Sequence, residues 1–358
     1  MDYGHKWTDR ELKRLEIKIA AEYNVAAKQV QKKIEDYLKT FEIIDARQLK
    51  AVADGEITEK QYRDWRKNQM LTKKRWEQMR NELARDYHNV NMIVASMTRE
   101  FSYEAYAMNY NFGTYEVEHG AMIDTSFTLY DRSTVERLIR DDPDLLPPPG
   151  KRVSKKIAEG ADLLWNKQVI QSVMLQGVLQ GESVGQIADR LTSAYGGSFT
   201  IEDIRRANEK TAKQIANELA RKNRDAALRN ARTMTTGAQN AGRIDSYKRA
   251  QNMGIKMRQE WIATLDNRTR HEHRVLDGQK VDVGQPFEVD GYTIRFPGDP
   301  QAAPEMVWNC RCTVVGVVAG TDIDKLEAKD LPRNSKLGDM SYEEWEKGHY
   351  QPKPKRKK

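Results

Sequence analysis

The chain's only two cysteines, Cys310 and Cys312, stand one residue apart near the end of a stretch, Arg258 to Val318, where helical periodicity stops. That spacing constrains the fold more than any other feature of the 358 residues. In an extended chain, residues i and i+2 share a face about 6.6 Å apart. An unstrained disulfide needs Cβ atoms about 3.5–4.5 Å apart, so the two thiols are not natural partners. Two readings remain. The thiols converge with His271 and His273, and with Asp266 or Asp277 as oxygen donors, on a soft metal such as zinc. Alternatively they are small buried hydrophobes, and the histidines bond to backbone. C-x-C with H-x-H matches no standard zinc spacing.

The same stretch reads as a compact α+β unit. Trp261, Ala263 and Leu265 alternate with Ile262 and Thr264, a period of two that suits a short strand. Thr269 to Leu276 makes one short helix, and Asp277-Gly278 stops it. Phe287 to Phe296 reads as a hairpin turning at Asp290-Gly291 in a type I′ turn. Cys312 to Val318 is a β-branched run fit for burial in a sheet. So few short strands need a helical neighbour to cover their second face.

At these residues the chain resembles the phage head morphogenesis family, the Mu F-like minor head proteins of tailed phages. The match rests on Trp261, Asp266, Arg268, Thr269, Leu276, Asp277, Gly278, Asn309, Cys310, Arg311 and Cys312, and extends from Val169 to Val318. Relatives carry further metal-ligand types where this chain has Arg270 and Val307, which leaves His273, Cys310 and Cys312, with His271 as the candidate fourth. Zinc is therefore disfavoured and no cofactor is expected. The resemblance implies a protein inside the phage head near the portal vertex. It would pass through the host cytoplasm during assembly. It would contact the portal protein, other head proteins and double-stranded DNA without sequence preference, and so aid head morphogenesis and DNA packaging and ejection. Some members carry toxin domains after N-C-R-C; the short charged segment after Val318 fits no such cargo.

The rest of the chain reads as helix. Thr8 and Glu11 spell a capping box that opens the first helix, with Leu12, Leu15, Ile19 and Tyr23 on one stripe that Val30, Ile34, Leu38 and Phe41 continue. Thr58 and Gln61 spell a second, for a helix running toward Tyr87 with Trp65, Trp76 and Met79 on its apolar face. This is an extended arm gripping a partner, or a hairpin packed on its own protein. The aromatics from Asn89 to Tyr130 lack basic neighbours, so they read as core. Asp141 to Gly150 is a linker. Ile157 to Gln180 is helical, and Ser183 with Gln186 opens another helix to Tyr195. The Gly-Glu-Ser between them spells a helix-turn-helix, but Arg190 alone is a poor reading head, so packing is the better account.

The fold class is mainly α with a small C-terminal α+β domain. The expected divisions are an N-terminal helical region (1–141), a Pro-rich linker (142–150), a basic helical region (151–254), the signature domain (255–318) and a charged, disordered tail (319–358). No apolar run approaches the roughly 20 residues of a membrane span, and the N-terminus lacks a signal-peptide core. Two cysteines give no disulfide framework, so a soluble protein made in a reducing cytoplasm is expected.

The formal charge is +7, and Arg205 to Arg249 alone sets twelve basic residues against four acidic ones. Within it Arg221, Lys222, Arg224, Arg229 and Arg232 are the candidate DNA contacts; a solvated helix surface is the plainer reading. The basic residues from Lys353 to Lys358 add attraction to polyanions. A virion component ranks first. A metal-dependent nuclease built on His273, Glu272, Asp277 and the cysteines is the alternative from another class, and a free DNA-binding protein the third. No P-loop, nucleophile elbow or H-E-x-x-H motif points to an enzyme.

Overall fold

The computed structural model describes residues 2–125, 127–142, 146, 155–180, 200–318 and 335–349. It contains α1 (Tyr3–Lys39), α2 (Glu42–Ala53), α3 (Glu59–Leu71), α4 (Lys74–Ala121), α5 (Arg132–Asp141), α6 (Lys155–Gln180) and α7 (Ile201–Asn252). The rest is mixed: β1 (Met257–Ile262), α8 (His271–Leu276), β2 (Lys280–Asp282), β3 (Phe287–Val289), β4 (Tyr292–Ile294), α9 (Pro304–Val307), β5 (Thr313–Val318) and α10 (Tyr342–His349). The chain is thus mainly α with a small α+β part near the C-terminal end. No described helix is long and apolar enough to cross a membrane. Most of the Pro-rich linker, the helix expected from Ser183, and residues 319–334 and 350–358 lie outside the described residues.

Two compact units emerge, each assembled from separate stretches: residues 17–95 with 153–227, and residues 1–16 with 96–152 and 228–358. Among its described residues the first holds helices and no strand. The stripe Ile19, Tyr23, Val30, Ile34 and Leu38 on α1 is buried, as its spacing requires. Trp76, Leu83 and Tyr87 of α4 and Ile170 and Met174 of α6 are buried in the same unit. Gly177 lets α6 approach α7 closely, since a Cβ there would lie 2.3 Å from Ile215. A fully buried Arg66 pairs with Asp45 at 3.2 Å, and the Tyr62 hydroxyl donates to the same carboxylate at 2.6 Å. The Thr58–Gln61 capping box forms as read. The helix it opens does not run on to Tyr87, because α3 ends at Leu71 and α4 starts afresh at Lys74.

In the other unit a three-stranded antiparallel sheet has the order β2-β1-β5. Trp261 lies opposite Val314 and Arg258 opposite Asp282. Met257, Gln259 and Trp261 point inward, so the strand sits earlier than its apolar alternation suggested, and Leu265 is exposed beyond its end. The β3–β4 hairpin turns at Asp290 (φ 49°) and Gly291 (φ 81°), the two left-handed residues a type I′ turn demands. Helix α7 covers the sheet, with Asn240 and Arg243 bonded to Val314, and Gly237 lets it pass close to the loop after β4: a Cβ there would lie 2.6 Å from the Gly298 carbonyl oxygen.

Two sequence expectations fail here. Thr8 does not cap α1; the helix begins at Tyr3, because Asp2 Oδ1 accepts the His5 N–H at 2.9 Å and does the capping instead. Thr8 is buried and donates to the Gly4 carbonyl. Residues 335–349, expected in a disordered tail, form a 3₁₀ turn and α10. Leu337, Tyr342 and Trp345 are buried against Phe112, and Trp345 Nε1 donates to Glu118 at 2.7 Å. Three apolar anchors among fifteen residues, six of them Asp, Glu or Lys, suffice to dock the segment.

Arg243 of α7 is wholly buried beside two carboxylates. Its Nη1 donates to Asp2 at 3.0 Å and to the Val314 carbonyl at 2.9 Å, and it lies 3.8 Å from Glu116. Burial disfavours the Asp2 carboxylate, but the Arg243 charge and hydrogen bonds outweigh it and hold Asp2 at about 2. Glu116 is deeper, and burial pushes it up to about 7 against the pull of Arg243. A folded-state pKa raised above the unfolded value adds stability below the unfolded value and loses it as pH rises through the folded one. Wild type should therefore lose on the order of 2 kcal/mol between pH 5 and 8 through Glu116. Denaturant melts of Glu116→Gln should show that slope removed; an unchanged slope would place the titration elsewhere.

Candidate metal centre

The signature residues are wired together before any metal is considered. Arg311 grips Asp266 with both guanidinium nitrogens, at 2.7 and 2.8 Å. The Arg268 N–H donates to the same carboxylate at 2.9 Å, and the Thr269 hydroxyl donates to the Thr264 carbonyl. Hydrogen bonds from Arg311, then from Arg268, hold the Asp266 carboxyl well below the usual range. Asp277 accepts the Ala263 N–H at 2.8 Å, and Gly278, at φ 77°, donates to the Trp261 carbonyl. Leu276 is buried in the core below. Asn309 takes a left-handed φ of 54°, which Asn tolerates better than most side chains. So D-x-R-T closes onto N-C-R-C, and L-D-G returns the chain to β1.

This framework brings His273, Cys310 and Cys312 together, all buried. His273 Nδ1 lies 3.6 Å from Cys310 Sγ and 3.4 Å from Cys312 Sγ. Its Nε2 is 2.9 Å from the Met306 carbonyl and must donate to it, so Nδ1 faces the sulfurs as a lone pair, or as a second N–H where Cys312 is a thiolate. The Trp261 ring stands edge-on to the imidazole at 5.4 Å. Three lone-pair-bearing atoms facing one another require protons or a cation between them. The Cys310 hydrogen bond, and after it the one from His273, draws the Cys312 thiol down to about 5 against burial. The same sulfur contact, with burial, pushes Cys310 well up.

The three ligand atoms lie within 4.8 Å of one another. In a tetrahedral zinc site, sulfur and nitrogen ligands stand about 3.5 Å apart, so the spacing fits three corners. The carbonyl behind His273 is the outer partner that zinc-bound histidines carry. An S–H···N network fits the same distances. His271 does not join the cluster; it is exposed and 4.0 Å from Asp290. Asp266 and Asp277 are engaged elsewhere. Arg270 donates to the Trp308 carbonyl at 2.6 Å, and its positive charge acts on Cys310.

The residues that seat this cluster from outside lie on α7. Thr236 donates to the Cys310 carbonyl at 2.7 Å. Asn240 Nδ2 donates to the Pro297 carbonyl, and its Oδ1 accepts the Val314 N–H at 2.9 Å. Sequence reasoning missed them, though one signal was there: residues 233–242 carry no charge inside the most basic helix.

The candidate DNA-contact side chains are largely paired. Arg221 bonds Glu218 at 2.7 Å and Asp225 at 3.0 Å, and Lys222 and Arg224 lie 3.7 Å from those acids. Arg229 stacks on Trp308 at 4.9 Å, and Arg232 bonds Glu16 at 2.6 Å.

Comparison with known proteins gives three findings. The family described as "Phage Mu protein F like protein" matches residues 168–315. "Minor head protein GP7" of Bacillus phage SPP1 is 27% identical over 305 residues, 82% of each chain. "NAD(+)--arginine ADP-ribosyltransferase EFV" of Enterococcus faecalis (strain ATCC 700802 / V583) is 29% identical over 231 residues, 64% of this chain. The chain spans only 40% of the length of that second relative. No solved structure matches the chain.

We propose that the cluster staples the signature unit through its own hydrogen bonds rather than through a metal. Cys310→Ser/Cys312→Ser should cost on the order of 2–4 kcal/mol, by burying hydroxyls short of partners. A chelator should leave the wild-type Tm unchanged. A wild-type Tm that falls with chelator, together with stoichiometric zinc by elemental analysis, would make a metal the staple instead.

Proposed function

From a chain that belongs to the Mu F-like minor head family, we propose a protein held inside the phage head near the portal that assists head assembly and DNA packaging and delivery. The likeness to the SPP1 minor head protein carries the reading, because it runs along 82% of both chains, and the family match over residues 168–315 takes in the signature region. The partners this implies are the portal protein, other head proteins and double-stranded DNA. Co-expression with the portal protein of the same phage tests it: the two should co-purify, and a chain that never associates with portal or procapsid would sink it.

The role is structural. A nuclease built there would need a carboxylate beside its metal, whereas Asp277 is bonded to the Ala263 N–H and, of the residues it would use, only His273, Cys310 and Cys312 converge. The Enterococcus relative's named activity is not carried over, since more than half of that protein lies outside the match. Plasmid incubated with purified protein and zinc, magnesium or manganese should stay uncut.

DNA contact rests on the charge excess of α7. Exposed ion pairs such as Arg221–Glu218 are worth little in water, so these cations can exchange a carboxylate for a phosphate. Retention of duplex DNA should be weak and independent of sequence. Reversing Arg221, Lys222 and Arg224 to Glu should lower the slope of log affinity against log salt by about two to three units. Wild type that retains no DNA at low salt would remove DNA from the list of partners.

A further inference from the structure

A cleft of about 600 Å³ opens between the first turns of α1, the 232–239 stretch of α7 and the 309–311 loop. Its volume is in the range of small-ligand sites. Lys13, Arg232, Arg268, Arg270 and Arg311 line it against Asp9 and Glu16. Arg232 is matched by Glu16, and Asp266, from just outside, is matched by Arg311. Two positive charges are left over in the cleft. Arg270 bonds a backbone carbonyl and has no acidic partner among the described residues.

Two buried polar groups on the same walls have no hydrogen-bond partner: His5 Nε2 and Thr235 Oγ1. Their residues are 3% and 1% exposed. The state of His5 is dictated by a relay. Asn240 Nδ2 donates to the Thr236 and Pro297 carbonyls, which fixes its Oδ1 as an acceptor. Thr313 donates to that oxygen, and so accepts from Gln239 Nε2 at 2.9 Å. The other Gln239 N–H then points at His5 Nδ1, also at 2.9 Å. Burial, first among several influences, lowers the His5 pKa, so the ring is neutral and its proton sits on Nε2. The nearest acceptor, Asp9, is 3.6 Å away, beyond a good hydrogen bond. Folded proteins rarely leave such a donor without purpose.

We infer that this cleft binds a phosphate monoester, whose oxygens accept from His5 Nε2, the Thr235 hydroxyl and the Arg270 guanidinium while Lys13 supplies charge. The surplus of two positive charges matches a monoester dianion better than the single charge of a backbone diester. A 5′-phosphorylated DNA end and a free mononucleotide share this chemistry. The inference does not depend on the head-protein reading, and its residues are separate from Arg221, Lys222 and Arg224.

Calorimetric titration of the full chain with AMP, with a 5′-phosphorylated decanucleotide, and with adenosine and the 5′-hydroxyl decanucleotide tests it. At least one phosphorylated probe should bind tenfold or more tightly than its hydroxyl counterpart; which one does so identifies the source. Arg270→Gln and Lys13→Gln should erase that difference. Thr235→Val should leave the Tm unchanged, because the hydroxyl has no partner to lose, yet weaken the phosphorylated probe several-fold. Equal binding with and without phosphate, no binding of either probe, or wild-type affinity in Arg270→Gln and Thr235→Val would each overturn the inference.

Discussion

One side chain, Asn240, completes the edge of β5 and ties it to the loops around it. Strand β5 pairs with β1 along one edge. On the other side Asn240 Oδ1 takes the Val314 N–H, while Nδ2 meets the Pro297 and Cys312 carbonyls. An amide replaces the missing neighbour strand, so buried backbone groups that would each cost about 1–3 kcal/mol unpaired are satisfied by one residue. Thr236 and Arg243, on the same helix, extend the clamp to the Cys310 and Val314 carbonyls. The sheet is too small to stand alone, and this uncharged strip inside a basic helix makes α7 its other half.

The signature motifs serve this arrangement more than they serve chemistry. Asp266 and Arg311 close the loop that carries the cysteines, and Asp277 and Gly278 turn the chain back under Trp261. Asp266 and Asp277 act within this framework as hydrogen-bond acceptors. A cleft opens on the far side of Cys310, where the start of α1 adds His5 and Lys13 to a wall built by α7, Arg268, Arg270 and the 309–311 loop. Distant parts of the chain therefore meet at one surface.

How legible was this in the sequence? The α1 stripe, the Thr58 capping box and the Asp290-Gly291 hairpin were readable because each depends on residues a few positions apart. The convergence of His273 with both cysteines followed from the pattern, whereas the exclusion of His271 did not: its neighbour Asp290 lies on a turn whose placement is tertiary. Thr8 misled because Asp2 competes for the same helix start and is anchored by Arg243, far away in sequence. The α10 segment was hidden by its charge, since Leu337, Tyr342 and Trp345 are too few to show a period. The five candidate DNA-contact side chains on α7 are engaged by Glu218, Asp225, Glu16 and the Trp308 ring, which a count of charges cannot reveal.

Native-state hydrogen exchange resolved by peptide tests the central claim, that residues 228–252 and the signature unit form one cooperative body clamped at Asn240. In wild type, amides of α7 beyond Leu228 and of β1 and β5 should open with a common free energy. In Asn240→Leu, which keeps the volume but removes the amide, protection of both should fall together. Strands that open independently of α7 in wild type, or that keep their protection in the variant, would contradict the account.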